Sequence, residues 1–463
     1  MWAAYAPLWW LGAVGHELLL FAAFWFAVGV VDEVAIDLCY VWLRLTGRCS
    51  TATLTAAEAA VPLTGRIAVL VPAWREAEVI GAMAAHALAV WPQPSLRLYI
   101  GYYRNDPATR AAASVAAGHD PRLRLVMNDC DGPTTKANCL NRLYHAMCED
   151  EVRDGAQFTG IVLHDAEDMV HPAALGAIDR ALASAEFVQL PVRPEPQIRS
   201  RWIAGHYADE FAEAHTKALV VRDALGAGLP AAGVGCGFAR NIIARIAAEH
   251  GGNPFATDCL VEDYELGLSI ADHGGRSRFL RLRDEAGALV ATRSYFPAKL
   301  DTAVRQKTRW IHGIALQEWD RMGWSPRPLE IWMRVRDRRG PLTAVILAAA
   351  YALLVIEGAL LIAAHLGWYR APPAGPLLSI LLTICLAGLV WRASIRIIIV
   401  TREYGLFEGL CSFPRILIAN YITILAGRRA LAAYCRSLRG EAPTWDKTEH
   451  HRVPAMPATG AAL

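Results

Sequence analysis

The chain has 463 residues, 54% of them hydrophobic, with a mean hydropathy of +0.25 and a formal net charge of +2. That is too apolar for one water-soluble globule and, through its middle third, too polar for a wholly membranous protein, so two or three domains are expected. Lys and Arg are spread along the sequence rather than striped, which argues against nucleic acid as a partner.

A spanning helix needs about 20 apolar residues. The first such run starts at Leu18 and continues, studded with Asp32, Glu33 and Asp37, to Leu45. Arg44 and Arg48 close it, which places this end in the cytoplasm by the excess of positive charge there. The N-terminus has no basic region and no clean small-residue cleavage site, so a removable signal peptide is not expected.

From residue 66 onward short apolar runs alternate with helix-length segments. Residues 67–73, 96–103, 123–128, 160–165 and 187–192 read as buried strands, with helices expected from Glu76, Pro107, Thr134 and Pro172. That alternation predicts an α/β domain built on a mostly parallel sheet with helices on both faces. In such sheets ligands sit at the carboxyl ends of the strands. The chemistry-bearing residues follow the runs: Glu76 after the first, Asp106 in Asn-Asp-Pro after the second, Lys136 within GPTTKANCLN after the third. Asp165-Ala166-Glu167-Asp168 follows the fourth, and later come GVGCGFAR, Glu262-Asp263 and Gln306-Lys307-Thr308-Arg309-Trp310. No G-x-G-x-x-G follows the first strand, which excludes a dinucleotide-binding dehydrogenase.

Two more apolar runs, Leu342 to Leu366 and Leu377 to Val400, follow an Arg-rich stretch and precede Arg402. A fourth, Gly409 to Ala426, is broken by Pro414, Arg415 and Asn420. If it crossed, Arg428, Arg429, Arg436 and Arg439 would lie outside, so an interfacial helix on the cytoplasmic leaflet is expected instead. The expected organisation is therefore a membrane helix over 1–48, the α/β domain over 66–298, an amphipathic connector over 299–340, a transmembrane hairpin over 341–400, an interfacial helix over 401–440 and a C-terminal tail over 441–463 that is disordered from His451. Charges within the spans should be paired or face a polar cavity. Asp32, Glu33 and Asp37 in the first span and Arg392 and Arg396 in the third sit at similar depth, which predicts a direct carboxylate–guanidinium contact. The alternative is that the arginines snorkel to headgroups. The ten cysteines show no C-x-x-C spacing and are expected to be free thiols.

Taken together and in order, these motifs resemble the inverting glycosyltransferases of family 2, with a GT-A fold. More narrowly, VPAWRE, YRNDP, GPTTKANCLN, LHDAED, GVGCGFAR, VEDYELG, AVRQKTRWIHGI and WDKTEH resemble the catalytic half of the bacterial phage adsorption protein B family. The resemblance implies an inverting, metal-dependent transferase of hexosyl or N-acetylhexosaminyl units in the inner membrane, with its catalytic domain in the cytosol. It implies a nucleotide-sugar donor, a glycan acceptor, a role in exopolysaccharide synthesis and an outer-membrane export partner. Longer members of that family continue into a regulatory cyclic-dinucleotide-binding domain, so such control would be absent or come in trans.

Under this reading Asp263, with Glu262 beside it, is the catalytic base, and its side chain can also cap the following helix. Glu76, Asp106, Lys136 and Asp165 form the donor set, although Asp106 could equally be a helix cap and Lys136 a plain surface lysine. Asp165 and Glu167 hold Mg²⁺ or Mn²⁺; the D-A-E-D spacing leaves the primary ligand open between Glu167 and Asp168. Gln306, Arg309 and Trp310 share a helical face for acceptor and pyrophosphate, unless Trp310 turns into the lipid headgroups. A catalytically silent membrane scaffold that keeps the fold is the alternative function.

Overall fold

The computed structural model describes residues 6–59, 61–118, 120–440 and 452–454. The tail and its WDKTEH motif lie outside the described residues, apart from residues 452–454. The central sheet comprises β1 (Arg66–Pro72), β2 (Leu96–Tyr102), β3 (Leu123–Met127), β4 (Phe158–Leu163), β5 (Phe187–Gln189), β6 (Cys236–Ala239) and β7 (Ser277–Phe279), in the order β3-β2-β1-β4-β6-β5-β7. Every pairing is parallel except those of β6, which runs against both β4 and β5. The expected mostly parallel sheet is the one observed.

Why these runs are uninterrupted is visible in β1. Side chains alternate across a strand. Ile67, Val69 and Val71 pack with Met83, Trp91 and Leu98 on one face, while Ala68 and Leu70 pack with Tyr99, Leu140 and Phe238 on the other. Both faces are dry between Ile67 and Val71, so those five positions are all apolar. Each such side chain contributes about 1.5–3 kcal/mol on burial.

The helices that position the site are α1 (Ala6–Leu45), α2 (Lys136–Asp154), α3 (Glu262–Asp272), α4 (Leu300–Trp310), α5 (Gly340–His365), α6 (Pro376–Tyr404) and α7 (Leu406–Ser437). Thr135 caps α2, its hydroxyl accepting from Asn138 N at 3.2 Å, and Gly155 ends it at φ 64°. The helix after β1 begins only at Ile80 rather than at Glu76. A short π-helix, Ile311–Gln317, continues α4 directly.

Helices α1, α5, α6 and α7 are all long and apolar enough to cross a membrane. Close approach between them uses small residues: a Cβ at Gly388 of α6 would strike Val30 of α1, and one at Gly427 of α7 would strike Ala344 of α5. Helix α7 meets first the α/β domain and then the connector that follows it. Glu408 accepts from Arg201 at 3.0 Å, Arg415 reaches Asp209 at 3.0 Å, Ile422 and Ala426 pack on Tyr207 and Val304, and Tyr434 donates to Asp320 at 2.9 Å. Its opposite side exposes Leu406, Leu410, Phe413, Leu417 and Tyr421.

The expected contact between the charges of the first and third spans is not formed. Among the described residues no ion pair joins Asp32, Glu33 or Asp37 to Arg392 or Arg396. Arg339 instead binds Glu33 at 2.6 Å and Asp32 at 2.9 Å, with Arg336 on the same two carboxylates. Asp37 takes Lys217 at 2.6 Å and the Trp391 indole of α6 at 2.8 Å. Arg396 binds Glu213 at 2.8 Å, and Glu213 shares Lys217 with Asp37. The two spans do pack, but cations from the connector and the α/β domain reach the acids first. All ten cysteines are free.

Candidate active site

A cavity of about 470 Å³ opens at the carboxyl end of the sheet. Its walls bring together Lys136, Asp165, Glu167, Asp168, Glu262, Asp263, Gln306, Arg309 and Trp310, residues separated by up to 174 positions in sequence. Each arrives at the end of a regular element: Lys136 opens α2, Asp165 follows β4, Glu262 and Asp263 open α3, and the last three close α4.

The charges are mutually arranged. Lys136 Nζ lies 2.5 Å from Asp165 Oδ1. Burial alone would lower the pKa of Lys136, but Asp165, Glu262 and Asp263 outweigh it and hold the ammonium charged. Burial pushes Asp263 upward, with Lys136 opposing. Burial and then the Asp263 charge push Glu262 up to about 7, again against Lys136. Asp263 lies in the first turn of α3, where its Oδ1 accepts from Tyr264 N at 2.8 Å; the position before the helix is Val261. Gly233, at φ 73°, lets the glycine-rich loop lie against the same carboxylate, since a Cβ there would overlap Asp263 Oδ2.

Three buried polar atoms around this cavity have no hydrogen-bond partner: Glu262 Oε1, Gln306 Oε1 and Arg309 Nε. Such atoms are costly unless something polar completes them. Trp310 lines the cavity, with Tyr207, Phe211 and Phe296 around it at centroid distances of 6.0, 6.2 and 6.5 Å.

In the acidic turn after β4, Asp165, Glu167 and Asp168 all line the cavity. Asp168 Oδ2 accepts from Asp165 N at 2.9 Å and pairs with His164 Nδ1 at 3.0 Å. That oxygen shapes the turn, and Asp165 and Glu167 line the cavity beside it. Hard oxygen donors of this kind fit Mg²⁺ or Mn²⁺. Among the described residues a tighter group, Cys259, Glu265 and Glu318, has its donor atoms within 4.8 Å of one another, away from the cavity wall.

Glu76 and Asp106 are placed differently from the rest. They sit at the same carboxyl edge, since β1, β2 and β4 are parallel neighbours, but neither lines the cavity. Asp106 is the cap of the helix Pro107–Ala117, accepting from Thr109 N at 3.4 Å, and it also accepts from Arg75 N at 2.6 Å. Glu76 N donates to Thr109 Oγ1 at 2.9 Å. The sequence reading missed Phe211, His215 and Phe296 of the wall, and Gln189, which ties the glycine-rich loop by accepting from Ala232 N at 2.9 Å and donating to Val234 O at 2.9 Å. Only the short spacing of aromatics in FAEAH could have signalled the first two.

Residues 64–313 match the model of the family described as glycosyltransferase like family 2. The chain belongs to glycosyltransferase family 2. This family 2 chain is also 32% identical, over 471 aligned positions, to the bacteriophage adsorption protein B of Escherichia coli K12, and equally to the bacteriophage N4 adsorption protein B of Escherichia coli O157:H7. These alignments cover 95% of this chain and 62% of each relative, so the chain spans under two thirds of their length. Among solved structures it is similar to the mannosyltransferase PcManGT from Pyrobaculum calidifontis in complex with GDP-Man and Mn²⁺, at 18% identity over 86% of this chain and 99% of that one, TM-score 0.49. It is similar too to the glucosyl-3-phosphoglycerate synthase of Mycobacterium tuberculosis with phosphoglyceric acid, at 18% identity over 57% and 81% of the two chains, TM-score 0.35. The GT-A architecture expected from the motifs accords with the family and with the sheet order.

Proposed function

We propose that this family 2 chain transfers a sugar from a nucleoside diphosphate donor to a glycan acceptor with inversion at the anomeric carbon. The observation that carries the proposal is the convergence of Asp263, Lys136 and Asp165 in one cavity with Gln306, Arg309 and Trp310. Asp263 accepts the proton of the acceptor hydroxyl as that oxygen attacks the face opposite the leaving diphosphate. Its upward shift makes it a better base than an exposed aspartate while Lys136 keeps it ionisable. Lys136 and Arg309 offset the charge that grows on the diphosphate. A divalent cation held by Asp165 and Glu167 would add Lewis-acid stabilisation of that leaving group. Trp310, with Phe211 and Phe296, offers aromatic faces to the acceptor sugar. Asp106 and Glu76 shape the nucleotide side of the edge, Asp106 by fixing Arg75 and the first turn after β2.

The membrane arrangement is part of the proposal. Helices α1, α5 and α6 cross the inner membrane, the α/β domain lies in the cytosol, and α7 lies along the inner leaflet with Leu406, Leu410, Phe413, Leu417 and Tyr421 in lipid. The contacts along α7, from Glu408 and Arg415 near its start to Tyr434 near its end, support that orientation, because a spanning helix about 48 Å long could not hold both ends against one cytosolic face. The product is an exopolysaccharide chain, delivered outward with an outer-membrane partner. A panel of labelled nucleotide sugars, incubated with the purified chain in detergent, tests the transferase reading. One donor should label a product only when Mg²⁺ or Mn²⁺ is present; no turnover of any donor would refute it.

A further inference from the structure

A second cavity, of about 780 Å³, shares no lining residue with the first. It is formed by the end of α1 with the segment Arg48–Ala52, by the helix Leu219–Ala224 and by the turn leading through β7 to Leu282. Four arginines line it, Arg48, Arg276, Arg278 and Arg281, against one carboxylate, Asp223. Arg281 shares Glu403 with Arg283, at 2.5 and 2.7 Å, and Arg278 lies 3.4 Å from Asp223. Arg48 lies over the Trp42 ring, and among the described residues no ion pair is formed by Arg48 or by the exposed Arg276. Ser50, Thr51, Thr216 and Ser277 add hydroxyls, and Ser277 Oγ is buried without a hydrogen-bond partner. Planar guanidinium forks beside an unsatisfied hydroxyl suit the tetrahedral oxygens of a phosphate.

The place of the cavity in the fold narrows the source. Arg48 and Cys49 follow the cytoplasmic end of the apolar helix α1, and Arg281 is pinned to Glu403 at the end of α6. The ends of two membrane helices thus bracket it, at the depth where lipid phosphates lie.

We propose that this cavity binds a phosphate-bearing ligand through Arg48, Arg276, Arg278 and Ser277. The phosphate belongs either to an anionic lipid headgroup of the inner leaflet or to a small soluble phosphate. The lipid source rests on the membrane reading of α1 and α6. The full chain is reconstituted in phosphatidylcholine nanodiscs with and without phosphatidylglycerol, and lipid retention is read by native mass spectrometry. In parallel, inorganic phosphate is titrated calorimetrically against the pure phosphatidylcholine sample in metal-free buffer. Retained phosphatidylglycerol assigns the lipid source, and phosphate binding without lipid retention assigns the soluble one. In either case Arg276→Glu and Arg278→Glu should each weaken the binding by about fivefold or more, with melting temperatures as the control for folding. Binding of neither probe, or equal binding by parent and both folded variants, overturns the proposal. Alkaline carbonate extraction separates the two readings: release of the chain from membranes breaks the membrane reading, whereas a membrane-retained chain that binds neither probe breaks only this one.

Discussion

Lys136 Nζ lies 2.5 Å from Asp165 Oδ1 and also faces Glu262 and Asp263, so one ammonium serves three carboxylates that share a buried cavity. Without it Glu262 and Asp263 would be raised further, because Lys136 opposes the upward push on both. Lys136→Met should therefore shift the acidic limb of the kcat/KM profile to higher pH, since a base must be deprotonated to act and Lys136 holds Asp263 down. A loss of about 10²-fold or more is expected near neutrality. A pH-rate series on parent and variant checks both; an unmoved limb would show that Lys136 does not couple to the base.

Gly233→Ala probes the same carboxylate from the loop side. The added Cβ would overlap Asp263 Oδ2 and stand 3.2 Å from Lys136 Nζ, and the φ of 73° adds strain of about 1–2 kcal/mol. Turnover should fall at least about tenfold while nucleotide affinity, read by calorimetry, stays within a few-fold, because a displaced base harms the reacting geometry more than the donor site.

Much of this was legible in the sequence because it depends on period and order. Unbroken runs such as IAVLVP predict strands dry on both faces, and functional residues at strand ends follow from the parallel topology. The Gln306, Arg309 and Trp310 face follows from helical spacing. What escaped, the cations that take the span charges, was set by partners distant in sequence. Asp106 reads as a binding carboxylate or a helix cap, and its oxygens accept from Thr109 N and Arg75 N. For Asp168, left open with Glu167 as the primary metal ligand, Oδ2 pairs with His164 Nδ1 and accepts from Asp165 N. The span charges Asp32, Glu33 and Asp37 were matched with the wrong cations, because nothing local reveals that Lys217, Arg336 and Arg339 reach them first.

That clamp has a measurable consequence. Glu33 is 4% exposed and holds both Arg336 and Arg339. Removing one member of a buried pair leaves uncompensated charge, typically costing about 3–5 kcal/mol. Glu33→Ala should lower the melting temperature in detergent far more than Glu58→Ala, whose carboxylate is on the exposed surface. Similar melting for the two variants would show that the clamp does not stabilise the fold.

The Cys259, Glu265 and Glu318 group predicts a pH dependence of stability. Glu318 is fully buried, and burial followed by the Glu265 charge pushes it up to about 8. A carboxyl group with a raised folded pKa stabilises the fold while protonated and loses that contribution as pH rises through the folded value. The melting temperature of the parent should fall as pH rises through about 8. Glu318→Gln, which can still accept from the Cys259 thiol but cannot ionise, should fall less. Parallel curves would remove the assignment.

The central claim is that Asp263 is the base of an inverting glycosyl transfer, and Asp263→Asn tests it most directly. The amide keeps the shape of the side chain and its contact with Tyr264 but cannot accept the proton. Sugar transfer from the identified donor should fall about 10²–10⁴-fold, while calorimetric affinity for the nucleoside diphosphate in the presence of Mg²⁺ stays within a few-fold. Transfer at the parental rate by a correctly folded Asp263→Asn chain would contradict the account.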